Sequence, residues 1–134
     1  MTTQDMTTPG TTADNTSIVT AAFAALTETG DVDAVARVLS NGFVHHRPDG
    51  TSRTRAEWLA AVRGSLEHIA GMEVTVLHLL ADTDHVMLHS RRRLPGGPEI
   101  TVVDIMRFED GLIAEAWETI EPAAEAQAHL TWWS

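Results

Sequence analysis

The chain has 134 residues, 43% of them hydrophobic, with nine basic against nineteen acidic side chains and a formal net charge of −10. That length suits one domain with a single core, and the acidic balance argues against a phosphate-binding surface, so against nucleic acid as the main partner. There is no cysteine, which excludes a disulfide framework, a thiolate metal site and a Cys nucleophile, and no apolar run approaches the length of a membrane span.

Residues 1–15, MTTQDMTTPGTTADN, are Thr-rich and polar and are expected to form a disordered tail. They lack the basic-then-apolar order of a secretory leader, which fits a cytoplasmic protein. The folded domain is expected over 16–122, with 123–134 as a second tail ending in Trp132-Trp133. A first helix is expected from about Ser17 to Thr29, where Ile18, Ala22, Ala25 and Leu26 have helical spacing and Gly30 stops it. Asp31 can cap a second helix carrying Val32, Val35, Ala36 and Leu39 and ending near Asn41-Gly42. Phe43 to His46 is a short extended piece before the Arg47-Pro48-Asp49-Gly50 turn. Thr54 and Glu57 have the spacing of a capping box, opening a third helix to about Ala70 with Trp58, Leu59, Val62, Leu66 and Ile69 on one face.

Everything beyond Gly71 alternates as strands do. Glu73 to Leu80, His85 to Leu94, and a hairpin over 101–121 are separated by turns at Asp82-Thr83-Asp84, at Pro95-Gly96-Gly97-Pro98 and at Asp110-Gly111. Helices segregated from an antiparallel sheet give an α+β fold. A long curved sheet with helices on its concave side leaves a pocket between the layers, a common place for a ligand.

The hairpin over 101–121 is the informative stretch. Its first strand puts Val102, Asp104, Met106 and Phe108 on one face; its second puts Leu112, Ala114, Ala116, Glu118 and Ile120 on one face. Each apolar row is interrupted by an acid. A carboxyl facing a core is costly unless it is paired, hydrogen-bonded or protonated. Asp104 and Glu118 are therefore candidate acid/base groups with raised pKa, the alternatives being outward-facing acids or partners of Arg91.

The segment VVDIMRFEDGLIAEAWETIEP closely resembles the C-terminal signature of SnoaL-like proteins, a branch of the nuclear transport factor 2-like superfamily that also contains ketosteroid isomerase and scytalone dehydratase. Phe43-Val44-His45-His46-Arg47-Pro48 is similar to that family's aromatic–apolar–Gln-His-Asn-Pro segment, and His89 matches a His that many members carry. The resemblance implies a cone: a strongly bent, mostly antiparallel sheet packed on three N-terminal helices, with a buried pocket and usually a homodimer. It implies general acid/base chemistry without metal or organic cofactor, on a hydrophobic carbonyl compound such as a polyketide, by cyclisation, isomerisation or dehydration. Two positions depart from the pattern. The family His between Glu115 and Trp117 is Ala116, and the isomerases' tyrosine has no counterpart, since the chain contains no tyrosine; the nearest ring is Phe23.

Since His45 and His46 point to opposite sides of an extended segment, only one faces the pocket; the resemblance favours His46. The expected catalytic set is then Asp104, His46, His89 and Glu118, with Trp58, Arg91, Met106, Phe108, Trp117 and Phe23 around the substrate. No metal site is expected. The alternative function is a non-catalytic module of the same fold that binds a small ligand.

Overall fold

The computed structural model describes residues 12–93, 96 and 99–122. Helix α1 (Thr12–Ala24) begins ahead of the residue-16 boundary expected for the domain and buries Asn15 and Val19. It runs on into a π-helical turn, Ala25–Thr29. Gly30 ends it at φ 67°, a left-handed value that glycine adopts without strain, and its N–H donates to the carbonyls of Ala25 and Leu26. Asp31 caps α2 (Val32–Ala36) by accepting from the Ala34 N–H. This helix is shorter than expected: Leu39 opens strand β1 (Leu39–His46), where it pairs with Ile113.

After the Arg47–Gly50 turn the chain forms a strand absent from the sequence expectation, β2 (Ser52–Thr54), antiparallel to β1. Thr54 then caps α3 (Arg55–Gly64) through the full capping box with Glu57. The expected third helix breaks at Ser65, whose φ of −113° is not helical, and resumes as α4 (Leu66–Ala70). Four strands follow: β3 (Glu73–Asp82), β4 (His85–Arg93), β5 (Glu99–Glu109) and β6 (Leu112–Pro122). Asp110 and Gly111 turn the last hairpin with φ of 53° and 80°, the paired positive values of a type I′ turn. The turn at Pro95-Gly96-Gly97-Pro98 falls largely outside the described residues, and the tail with Trp132-Trp133 falls wholly outside them.

The fold is α+β. Six strands form one curved mixed sheet in the order β2-β1-β6-β5-β4-β3, and only β1 against β6 is parallel. Register shifts interrupt β1, β3 and the β5–β6 pair; such bulges bend strands and add twist. The bulge after Arg107 changes which β6 residues face inward. Phe108 pairs with Ile113, so Ile113 is buried while Leu112, expected in the apolar row, is exposed. Beyond the bulge Ala116 and Glu118 keep the inward face expected of them.

The core lies between the concave sheet face and the helices. Val86, Leu88, Met106, Phe108 and Ile113 from the sheet meet Val19, Val32, Val35, Leu59 and Val62. Among the described residues no helix is long and apolar enough to cross a membrane.

Helix α3 carries Trp58 and Val62 to the cavity wall, so its N-terminal cap bears on the site. Replacing Thr54 with Ala removes the side-chain acceptor for the Glu57 N–H, leaving the backbone half of the box, and should lower the unfolding free energy by about 1 kcal/mol, read as a lower urea midpoint with an unchanged m-value. An unchanged midpoint would show that the box does not hold the helix.

Candidate functional site

Between sheet and helices lies a cavity of about 320 Å³. Phe23 and Leu26 from the first helix and its π-helical turn, Trp58 from α3 and Met106 from β5 give it a largely apolar wall. Against that wall stand Asp104, Glu118, Arg92, His45, Arg47 and Arg53.

Strand register sets the polar cluster. Asp104 and Glu118 are direct Cα partners across β5 and β6, so their side chains leave the same face side by side. Arg92 comes from β4 and is only 8% exposed. Its Nη2 donates to Asp104 Oδ2 at 2.6 Å, its Nε donates to Ser90 Oγ at 2.9 Å, and its guanidinium lies 4.9 Å from the Phe23 ring centroid. One guanidinium thus serves a neighbourhood of two carboxyls. Burial pushes the Asp104 carboxyl above the ordinary carboxylate range, with Arg92 pulling the other way. Burial also raises Glu118, and the charge of Asp104 adds to it, while Arg92, Arg47 and Arg53 oppose. Two carboxyls beside one cation in a desolvated wall favour holding a proton between them.

His45 is buried, with its ring 5.6 Å from that of Trp58. Its Nδ1 is buried without a hydrogen-bond partner among the described residues. Burial, followed by the charges of Arg47, Arg53 and His46, lowers its pKa from 6.5 to about 4. The ring is therefore neutral at neutral pH, and the residue lines the cavity.

Several expected site residues lie elsewhere. His46 is on the outer face: its Nε2 lies 2.6 Å from Glu115 Oε2, its Nδ1 2.9 Å from Ser52 Oγ, and its ring stacks on Trp117. The inward histidine is His45 because it shares a strand face with Phe43, which is 2% exposed and anchored in the core. Trp117 is outside for the same reason, between the rings of His46 and His85. His89 stacks on His78 with their Nδ1 atoms 3.0 Å apart, and Arg91 reaches Glu99 at 3.8 Å, so neither joins the cavity. On β4 the even positions Val86, Leu88, Ser90 and Arg92 are buried, which turns His89 and Arg91 away. Phe108 is buried in the core without lining the cavity. Phe23, Trp58, Met106, Asp104 and Glu118 do line it.

His45, Arg92, Arg47 and Arg53 were not singled out from the sequence. A signal existed for two of them. Phe43 marks the inward face of β1, and the apolar pair Val86 and Leu88 marks the even positions of β4. Arg53 carried none, because β2 is too short to show alternation. Among the described residues no three His, Asp or Glu side chains are grouped so as to hold a metal ion.

A family model described as the SnoaL-like domain matches residues 19–116. No curated protein matches the chain closely enough in sequence to count as a relative. Among solved structures the chain is similar to a ketosteroid isomerase candidate from Kribbella flavida DSM 17836, at 21% identity and TM-score 0.72, with 84% of this chain and 81% of that one covered. It is similar to wild-type IdmH, a polyketide cyclase candidate from Streptomyces antibioticus, at 22% identity and TM-score 0.66, with 87% and 98% covered. It is also similar to an LEH-like epoxide hydrolase from M. tuberculosis, at 20% identity and TM-score 0.66, with 82% and 84% covered. Identities this low establish the fold and leave the chemistry to the side chains.

The depressed histidine has a signed consequence for stability. A group whose folded pKa lies below its unfolded one adds stability above the unfolded value and loses it as pH falls toward the folded value. For His45 that window runs from 6.5 down to about 4. The raised carboxyls of Asp104 and Glu118 act oppositely: their contribution is present at low pH and fades as pH rises through their folded values. Replacing His45 with Phe should remove on the order of 2 kcal/mol of the acid-side stability loss, after allowance for solvent screening. Urea melts of both proteins at several pH values across the window check it; parallel pH profiles would contradict a buried neutral imidazole.

Proposed function

Because the chain belongs to the SnoaL-like domain family, we propose that it is a small enzyme acting by general acid/base catalysis on a hydrophobic carbonyl compound, without a cofactor. The observation that carries this is the wall on which two raised carboxyls and a neutral imidazole line a largely apolar cavity. Asp104 is the base: a raised carboxylate is a stronger one, and Arg92 holds it in place. It takes the proton from the carbon next to the carbonyl. The electron pair moves to the carbonyl oxygen, and Glu118, held toward its protonated form by burial and by Asp104, donates to that oxygen. His45 supplies a neutral hydrogen-bonding group where the negative charge develops. The resulting enol can cyclise, isomerise or eliminate, the three outcomes that suit a polyketide-like substrate. His46 and His89, expected in the catalytic set, take no part in this reading, and the cavity histidine is His45.

A non-catalytic ligand-binding module is the second reading, favoured by the Arg92–Asp104 ion pair, which already engages the proposed base. Hydrogen–deuterium exchange at the α-carbon of hydrophobic ketones, followed by NMR in heavy water, separates the two. The enzyme should accelerate exchange, and Asp104→Asn and His45→Ala should each slow it by about 10²–10⁴-fold. Ketone binding without exchange, or equal rates in both variants and the parent, would leave only the binding module.

For assembly, a homodimer through the outer sheet face is proposed. Leu80 and Ile105 lie exposed there at 57% and 37%, near Met87 and Trp117 in the strand register. Sedimentation at micromolar concentration should give twice the monomer mass, and Ile105→Glu should halve it; a monomeric parent would contradict the proposal.

A further inference from the structure

Two cavity-lining arginines have no role in the chemistry just described. Arg53 is the Cα partner of His45 across β1 and β2, and Arg47 lies two residues beyond His45. Both line the cavity with His45 and Glu118. Of the other seven arginines, Arg63, Arg91, Arg92, Arg93 and Arg107 each reach a carboxylate and Arg55 donates to the Ala36 carbonyl, while Arg37 lies away from the cavity. Among the described residues Arg47 and Arg53 form no ion pair and no side-chain hydrogen bond. Asp49, on the same turn as Arg47, directs its Oδ1 to the N–H and hydroxyl of Thr51, at 2.9 and 2.6 Å.

A chain with nineteen acids and nine basic residues does not lack partners for its cations. Two guanidiniums left open on one polar edge of an otherwise apolar cavity therefore present an unfilled anion-binding fork. Guanidinium matches a carboxylate in planarity and donor spacing. The surrounding protein, at net charge −10, repels anions in general, so recognition of one here depends on these local charges. Glu118 does not spoil the fork: burial and Asp104 favour its uncharged form, so it does not repel an anion there.

We propose that the cavity takes an amphipathic acid, its apolar body against Phe23, Leu26 and Trp58 and its carboxylate held by Arg47 and Arg53 beside His45. This rests on the reading of the cavity as the ligand site and names the class of molecule it selects. It also orients that molecule, carboxylate toward the β1–β2 edge and body toward Asp104.

The test compares 2-naphthoate with 2-naphthalenemethanol, equal in apolar body and different in charge, by NMR titration at neutral pH. The parent should bind the acid about 10- to 100-fold more tightly than the alcohol, the range for a charge-assisted contact. Arg47→Gln and Arg53→Gln should each erase most of that preference while leaving affinity for the alcohol unchanged. Arg63→Gln, on an outward-facing arginine, should change neither. Equal affinity for acid and alcohol, or a loss in both variants that falls alike on the two probes, overturns the anion subsite while leaving the proton chemistry at Asp104 to its own exchange test. Failure of both probes to bind at millimolar concentration overturns the subsite and the cavity's role together.

Discussion

Arg92 and Asp104 meet at 2.6 Å on the concave face of the sheet, and the rest of the site follows from what it takes to keep them there. Either charge buried alone would cost several kcal/mol. Together, with Ser90 accepting from the guanidinium and Phe23 lying against it, they are tolerated. The pairing is possible in only one register of β4 on β5, the one that puts even-numbered β4 residues inward. Leu88 opposite Asp104 and Val86 opposite Met106 belong to that same register. The ion pair and the hydrophobic core thus select one alignment between them. Glu118, opposite Asp104 on β6, then brings a second carboxyl to a wall whose one ion-paired cation, Arg92, is already engaged by Asp104. Desolvation and repulsion are relieved most readily by a proton, which is why both carboxyls are raised.

The two faces of the sheet show how far environment alone decides what a side chain can do. On the convex face His46 and His85 flank Trp117 and lean on Glu115 and Asp84, and His78 stacks on His89. All of these have partners and access to water. His45 sits one residue from His46 and meets neither condition: its ring lies among Phe43 and Trp58, with two arginines nearby. Charging it would place a cation in an apolar wall beside other cations, so it stays neutral. The difference between a surface histidine and a cavity histidine here is one step of a period-two pattern.

The cavity is polar at one edge and apolar over the rest. Helices supply the apolar side because their inward stripe is already committed to the core: Val19, Phe23, Leu26 and Val62 fall on it. The polar side comes from the strands, where alternation lets one face carry Asp104 between Val102 and Met106 without exposing either neighbour. The short β2 strand extends that edge and adds Arg53 to it. The space is therefore different in polarity from one end to the other.

Local pattern was enough to determine much of this protein. The capping box at Thr54, the cap at Asp31, the stop at Gly30, the Asp110-Gly111 turn and the acid in each apolar row of the last hairpin are all legible within a few residues, because each depends on backbone geometry and period. The signature over 101–121 gave the cone as well. Tertiary structure decided which of two adjacent histidines and which of three consecutive arginines faces the cavity, where the pattern offered only the hint of Phe43 and of Val86 and Leu88. It also decided that Leu112 leaves the apolar row at a bulge and that Leu39 opens a strand instead of ending a helix. Alternation fixes relative orientation within a strand, but the sign of the face is set by what that strand packs against. For β1 and β4 the anchors are Phe43 and the pair Val86 and Leu88, whose burial exists only once helices and sheet have closed over them.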